Sequence, residues 1–256
     1  MKRIRVIAAV VLVSAMIPVA AMIPGTPASA ATPVLPDLRM AKLTTIRLDT
    51  TTIPGSRLLR YTTEIVNVGV GPFETRGKRP DTSTTNMPVT QRVYNDDGTF
   101  ARVPIPGTFM FWGGDGHNHW HLNELEGGDL TRLDNGVKVG SLAKHGFHFA
   151  DNQAFDLSLP NAPQSPVYAS CGGFSCKTSA LFVTIGLSVG WGDIYAWSLA
   201  HQYIDITGLA SGMYLLTATA DPSHWFEETD ATNNSSWAKL RITKCCVTVL
   251  EYGPGA

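Results

Sequence analysis

Helical periodicity is scarce in this chain, and that scarcity over so long a sequence narrows the fold to β architectures. Runs rich in Thr, Val, Ile and Tyr recur instead, at 42–52, 57–68, 181–189, 202–206, 213–220 and 237–242. Turn residues separate them: Ile53-Pro54-Gly55, Asn95-Asp96-Asp97-Gly98, Asp134-Asn135-Gly136 and Ala210-Ser211-Gly212. β-Branched and aromatic residues suit a pleated, half-buried surface, and Gly, Pro and Asn-Asp clusters supply the backbone angles that reverse a chain. The expectation is an all-β, antiparallel β-sandwich. Stretches 77–88 and 152–173 resist a strand assignment and are expected to be loops, where function on a rigid β scaffold concentrates. There is no internal repeat and no linker, so residues 31–256 are expected to form one domain.

The first thirty residues are of a different kind. Met1-Lys2-Arg3-Ile4-Arg5 is a short basic start, an apolar run follows from Val6 to about Ile23, and Ala28-Ser29-Ala30 is an A-x-A cleavage pattern. Residues 1–30 are therefore expected to be a secretory signal peptide, with the mature chain starting near Ala31 and secreted. No later stretch is apolar enough to span a bilayer, so no membrane association is expected after cleavage. A formal net charge of −1, with scattered Lys and Arg, gives no electrostatic case for nucleic acid. Four cysteines in an exported chain point to disulfides. Cys171 and Cys176 are spaced to close a small loop, a bond between the adjacent Cys245 and Cys246 would be strained, and cross-pairing is equally open.

The sharpest chemical feature is Gly116-His117-Asn118-His119-Trp120-His121. Three histidines at alternate positions share one side of an extended segment. Imidazole suits copper, zinc, iron and nickel, and three such ligands leave positions open for water or substrate. Alternate residues of a flat strand are about 6.5–7 Å apart, so a metal bound at about 2 Å from each nitrogen requires the segment to bend. Gly113, Gly114 and Gly116 make bending easy. The remaining histidines, 145, 148, 201 and 224, are scattered, and a lone core histidine is usually just hydrogen-bonded. Spacing alone does not choose between a copper oxidase and a zinc hydrolase.

His117-x-His119-x-His121 with Trp120, followed by Glu124 and Asp129-Leu130, resembles the copper-binding segment of the lysyl oxidase family. Ala143-Lys144-His145-Gly146-Phe147 with Asp151 resembles the stretch that carries the family's cofactor lysine. The run from Gly186 through Trp191-Gly192-Asp193-Ile194-Tyr195 is similar to the one holding its cofactor tyrosine. Gln202-Tyr203-Ile204-Asp205-Ile206-Thr207, Ser211-Gly212-Met213-Tyr214-Leu215-Leu216 and Glu228-Thr229-Asp230-Ala231-Thr232-Asn233-Asn234 continue the match. Upstream, Leu35-Pro36-Asp37-Leu38 and the stretch from Leu58 to Gly69 extend it to nearly the whole mature chain. The resemblance implies copper held by His117, His119 and His121, and a lysine tyrosylquinone made from Lys144 and Tyr195. It also implies a calcium ion, as in some members, at Asp37, Leu38 (through its carbonyl), Glu228, Asp230, Asn233 and Asn234. These oxygen donors are what calcium prefers, and a polar turn capping a hairpin is the simpler reading of the same residues.

The implied activity is oxidation of a primary amine, free or on a protein lysine, by molecular oxygen, giving an aldehyde, ammonia and hydrogen peroxide. Addition of Lys144 to an oxidised Tyr195 ring requires a neutral amine, which burial favours. Asp193 shares a strand face with Tyr195 and is the candidate base, with a turn aspartate as the bland alternative. His148 and His201 are weaker candidates; His148 would share a face with Lys144 if that segment were extended, and His145 is expected to be structural. Animal members carry cysteines where this chain has Gly116, Trp191 and His201, so its disulfide support is expected to differ. The compact secreted form with a bacterial-type signal makes collagen or elastin a poor expectation for the substrate. Two other readings compete: a non-catalytic metal-binding β-sandwich module, and a zinc hydrolase using Glu124 as base.

Overall fold

The computed structural model describes residues 30–113, 118–169 and 176–255. The expected signal segment lies outside the described residues but for Ala30. Among the described residues there is no α-helix and there are eighteen strands. In chain order these are β1 (Pro33–Val34), β2 (Leu38–Met40), β3 (Thr44–Asp49), β4 (Leu58–Asn67), β5 (Phe73–Lys78) and β6 (Met87–Asn95). Next come β7 (Phe100–Trp112), β8 (Trp120–Asn123), β9 (Glu126–Arg132), β10 (Lys138–Ser141), β11 (Gly146–Phe147) and β12 (Gln153–Ala154). The last six are β13 (Phe182–Leu187), β14 (Trp191–Tyr195), β15 (Tyr203–Asp205), β16 (Gly212–Ala220), β17 (Ser235–Ile242) and β18 (Val247–Tyr252).

The strands form three antiparallel sheets, as the all-β expectation requires. One runs β11-β8-β7-β6-β5-β13 with β1 on β6, the second runs β10-β9-β16-β17-β18, and the third gathers β12, β14, β15, β2 and β3 around β4. Alternation explains the layers. In β16, Tyr214, Leu216, Ala218 and Ala220 are buried while the residues between them are partly exposed. All three sheets contribute to one apolar cluster, with Met110, Trp120 and Leu122 from the first, Leu216 and Leu240 from the second, and Tyr61 and Ile65 from the third.

Strand ends differ from expectation where side chains compete with the ladder. The run at 42–52 is a strand only over Thr44–Asp49, because Asp49 Oδ1 accepts the backbone N–H groups of Thr51 and Thr52 and turns the chain. Arg60, at 2.7 Å from Asp49 Oδ2, completes the capture. The stretch 77–88 is a loop only between β5 and β6, and β12 lies inside 152–173. Cys176 is disulfide-bonded while Cys245 and Cys246, between β17 and β18, are free thiols. Cross-pairing between the two sets is therefore excluded; Cys171 lies outside the described residues.

Asn67, at the end of β4, ties the third sheet to its neighbours. Its Oδ1 accepts from the N–H groups of Asp37 and Gly69, and its Nδ2 donates to the carbonyls of Gly71 and Leu187. The side chain is fully buried. Replacing Asn67 by Ala would leave four buried backbone groups without these partners, at about 1–3 kcal/mol for each that stays dry. Asn67→Ala is expected to lose at least about 3 kcal/mol in denaturant unfolding, and a loss under about 1 kcal/mol would show that water replaces the amide.

Candidate active site

The histidine segment enters the first sheet at the open end of the β7–β8 pair, where Trp112 faces Trp120 and Phe111 faces His121. Gly113 N donates to the His119 carbonyl at 3.0 Å, so His119 sits at the bend just before β8 and His121 sits within the strand. That bend overturns flat-strand spacing. The two Nε2 atoms lie 2.9 Å apart and the ring centroids 4.6 Å apart, nearly perpendicular at 87°. That Nε2 contact is a hydrogen bond between the rings, and its length matches the roughly 3 Å between the nitrogens of two cis ligands at about 2.0–2.1 Å from one metal. Gly146 permits this packing: a Cβ there would sit 2.9 Å from His121 Nδ1 and 2.7 Å from the Phe111 ring. His117 lies outside the described residues. Among the described residues no three His, Cys, Asp or Glu side chains are closed about one point.

Beside this pair lies a group of buried ionisable side chains. β14 pairs with β4 so that Tyr195 faces Thr63 and Asp193 faces Ile65, which puts Asp193 and Tyr195 on one face as expected. Lys144 Nζ lies 5.7 Å from the centre of the Tyr195 ring and 5.5 Å from that of Phe147. Lys144 is 3% exposed and Tyr195 7%. The Tyr195 hydroxyl accepts the backbone N–H of His148 at 2.9 Å, and Phe147 meets the Tyr195 ring edge-on at 5.1 Å. Burial raises the phenol's pKa well above its ordinary value, and the Asp193 carboxylate beside it adds to the rise. Asp193 is itself pushed well up, first by burial and then by the charges of Glu126 and Asp151, against hydrogen bonds from Tyr195 and Asn152. Asn152 fixes the carboxylate by donating Nδ2 to Asp193 Oδ1 while its own Oδ1 accepts from Ile194 N. The base candidate is thus a held, buried carboxyl beside the tyrosine, not a turn aspartate.

Glu126 and Asn152 were not singled out by the sequence. Glu126 opens β9 on its buried side, in step with Gly128 and Leu130, and that alternation is the signal that could have found it. Its Oε2 accepts from Thr63 Oγ1 at 3.1 Å, and Thr63 in turn accepts from Gln202 Nε2 at 3.3 Å. Burial raises Glu126 from 4.5 to about 8, against the opposing pull of Thr63 and the Lys144 charge. Glu126 and Lys144 line one cavity of about 230 Å³ together with Glu124, Asp129, Lys138 and His145, and at its mouth Lys138 Nζ lies 2.7 Å from Asp129 Oδ1. A second cavity of about 290 Å³ reaches His121 and is lined by Phe111, His145 and His201. A further groove of about 640 Å³, lined by Arg76, Lys78, Arg92 and Arg102, touches none of these residues.

Other expectations fall differently. Lys144 and His148 do not share one strand, since only Gly146 and Phe147 between them are extended in a ladder. His145 is exposed and faces Glu124 at 3.6 Å, so the carboxylate of the hydrolase reading is a surface group paired with His145. Asp37, Leu38, Glu228 and Asn234 do gather: Glu228 Oε2 accepts from Leu38 N at 2.7 Å and Oε1 from Asn234 Nδ2 at 2.9 Å. Burial, with the charges of Asp221 and Asp37, raises Glu228 to about 7, and both side-chain polar atoms of Asn233 are buried without partners. Asp230 Oδ1 is taken by Thr232, whose N–H and hydroxyl it accepts.

Glu126 holds its proton up to about pH 8 in the folded chain and up to about 4.5 when unfolded. The folded form therefore binds more protons between those values, and stability falls as pH rises through that window. In thermal unfolding of metal-free protein, Glu126→Gln is expected to gain on the wild type steadily from about pH 5 to about pH 8. A constant difference between the two across this range would contradict the buried, raised carboxyl.

The lysyl oxidase family model matches residues 89–251 of the chain. The protein-lysine 6-oxidases of Rattus norvegicus and Homo sapiens are each 29% identical over 154 residues, covering 60% of this chain and 33% of theirs. Lysyl oxidase homolog 2 of Xenopus tropicalis is 31% identical over 128 residues, covering 50% of this chain and 15% of its own. The match therefore spans a third or less of these relatives' length.

Proposed function

Since this chain belongs to the lysyl oxidase family, we propose that it is a secreted, copper-dependent oxidase of primary amines, free or on a protein lysine. The reaction is RCH2NH2 + O2 + H2O → RCHO + NH3 + H2O2. The observation that carries the proposal is the placement of Lys144 Nζ 5.7 Å from the Tyr195 ring, buried, beside two converging imidazoles. His119 and His121, with His117, would hold the copper. When bound, copper with oxygen supplies the oxidation that makes a quinone of the Tyr195 ring joined to Lys144, whose carbonyl is the electrophile for an amine. Residues 1–30 are taken as a bacterial-type signal and 31–256 as the catalytic domain.

The chain's own residues do the rest. Glu124 and Asp129 line the mouth of the cavity that leads to Lys144, where a substrate ammonium would compete with His145 and Lys138 for their carboxylates. Asp193 takes the proton from the substrate carbon next to nitrogen, and positive charge developing there lowers its raised pKa toward the working range. Asn152 keeps that carboxylate aimed, and His148 N keeps the Tyr195 oxygen in place. Burial of Lys144 and Tyr195 excludes water from both partners of the bond to be formed. Asp37, Leu38, Glu228, Asp230, Asn233 and Asn234 are proposed to hold a calcium ion. The raised Glu228 carboxyl and the orphaned Asn233 amide are the groups such an ion would relieve.

Copper-loaded protein screened against primary amines is expected to release peroxide and ammonia in equal amounts. Tyr195→Phe and Lys144→Arg should lose turnover by at least about a thousandfold, and Asp193→Asn by about a hundredfold or more. Undiminished turnover in Tyr195→Phe would sink the quinone reading. Inactive wild type with full copper would favour the non-catalytic module.

A further inference from the structure

We propose that His148 is an additional imidazole ligand of the metal held by His119 and His121, so that the centre draws nitrogens from two separate segments of the fold. The inference rests on the metal-binding part of the proposed function and not on its oxidase chemistry.

His148 lies just past β11, while His119 and His121 come from the bend and strand at β8, and β11 pairs with β8 through Gly146–Asn123 and Phe147–Leu122. This pairing brings the His148 ring to 4.9 Å from the His119 ring, tilted by 59°. The His119–His121 pair, whose nitrogens face each other, has a centroid separation of 4.6 Å. Imidazoles that share a metal at about 2.0–2.1 Å and near a right angle have centroids roughly 4.5–5 Å apart, so both separations suit cis ligands.

The two nitrogens of His148 are in different situations. Nδ1 lies 2.7 Å from the Trp120 carbonyl, an acceptor, so Nδ1 carries the hydrogen and donates. Nε2 then carries a lone pair; it is buried and makes no hydrogen bond of regular geometry, although the Ala169 backbone lies close to the imidazole. A histidine that only fills a core satisfies both nitrogens. One that donates Nδ1–H to a backbone carbonyl and leaves Nε2 bare is arranged as a metal ligand. The carbonyl that orients it belongs to Trp120, the residue between His119 and His121. The three rings are not closed about one point, so His148 would have to close on the pair when a metal is loaded. The His148 backbone N–H meanwhile holds the Tyr195 oxygen, which makes this residue the bridge between metal and tyrosine.

The test uses the full-length secreted protein, stripped by chelator and reloaded with one equivalent of Cu(II). Pulsed electron paramagnetic resonance then counts the coordinated imidazoles through their remote nitrogens. His148→Gln, whose amide can still donate to the Trp120 carbonyl, is the first variant, and His148→Asn is the second should the first not fold. Wild type is expected to show one more imidazole than the folded variant, and the variant's copper dissociation constant is expected to rise about tenfold or more. An unchanged count and affinity would overturn the assignment, as would a wild type that binds no copper. The extra imidazole in a wild type that oxidises no amine supports the ligand and removes the oxidase reading. Amine oxidation by a variant with the wild-type copper spectrum removes the ligand and leaves the oxidase.

Discussion

Desolvation of ionisable groups is the constraint on which the site depends. Glu126, Lys144, Asp193 and Tyr195 are all buried, and an isolated charge taken out of water costs several kcal/mol unless it is paired or neutralised. At the three acids, Glu126, Asp193 and Tyr195, the fold meets that cost by holding their protons. Glu126 is raised to about 8, Asp193 and Tyr195 are raised by burial, and the Asp193 carboxylate adds to the rise at Tyr195. A pocket that keeps its acids protonated and its hydrogen bonds few is a poor stabiliser of the fold and a good place for proton transfer.

The scaffold explains how such a group survives. β4 pairs with β2, β3, β14 and β15, so the strand that carries Thr63 is fixed from every side. Asp151 works similarly on the long loop: its carboxylate accepts from Val167 N, Tyr168 N, Ser188 N and Ser188 Oγ. The segment at Val167 and Tyr168 is therefore tied to the turn before β14. Rigidity outside and orphaned polar atoms inside, at Glu126, Asp193 and His148, are the two halves of one arrangement.

Much of this was legible from residues. Thr, Val and Ile runs between turn clusters give the β class, and three alternating histidines give the metal hypothesis. What was not legible has physical causes. That a metal requires the histidine segment to bend was legible; that the bend falls just before β8 and brings the His119 and His121 nitrogens together was not. Glu126 sits among acids that sequence treats as solvated, and its burial follows from the pairing of β9 with β16. His148 was weighed as a base because local spacing linked it to Lys144; its tie to Trp120 spans 28 residues and exists only in the fold. Asp193 was ambiguous with a turn residue until Asn152, 41 positions away, was seen to hold it.

The central claim is that Lys144 and Tyr195 are joined in the mature protein. Peptide mass mapping of secreted protein incubated with copper and oxygen tests it most directly. The account predicts a single species joining the Lys144 and Tyr195 peptides, with both unmodified peptides depleted. Separate, unmodified peptides from fully copper-loaded protein would contradict it, leaving a family fold and metal pair without the quinone.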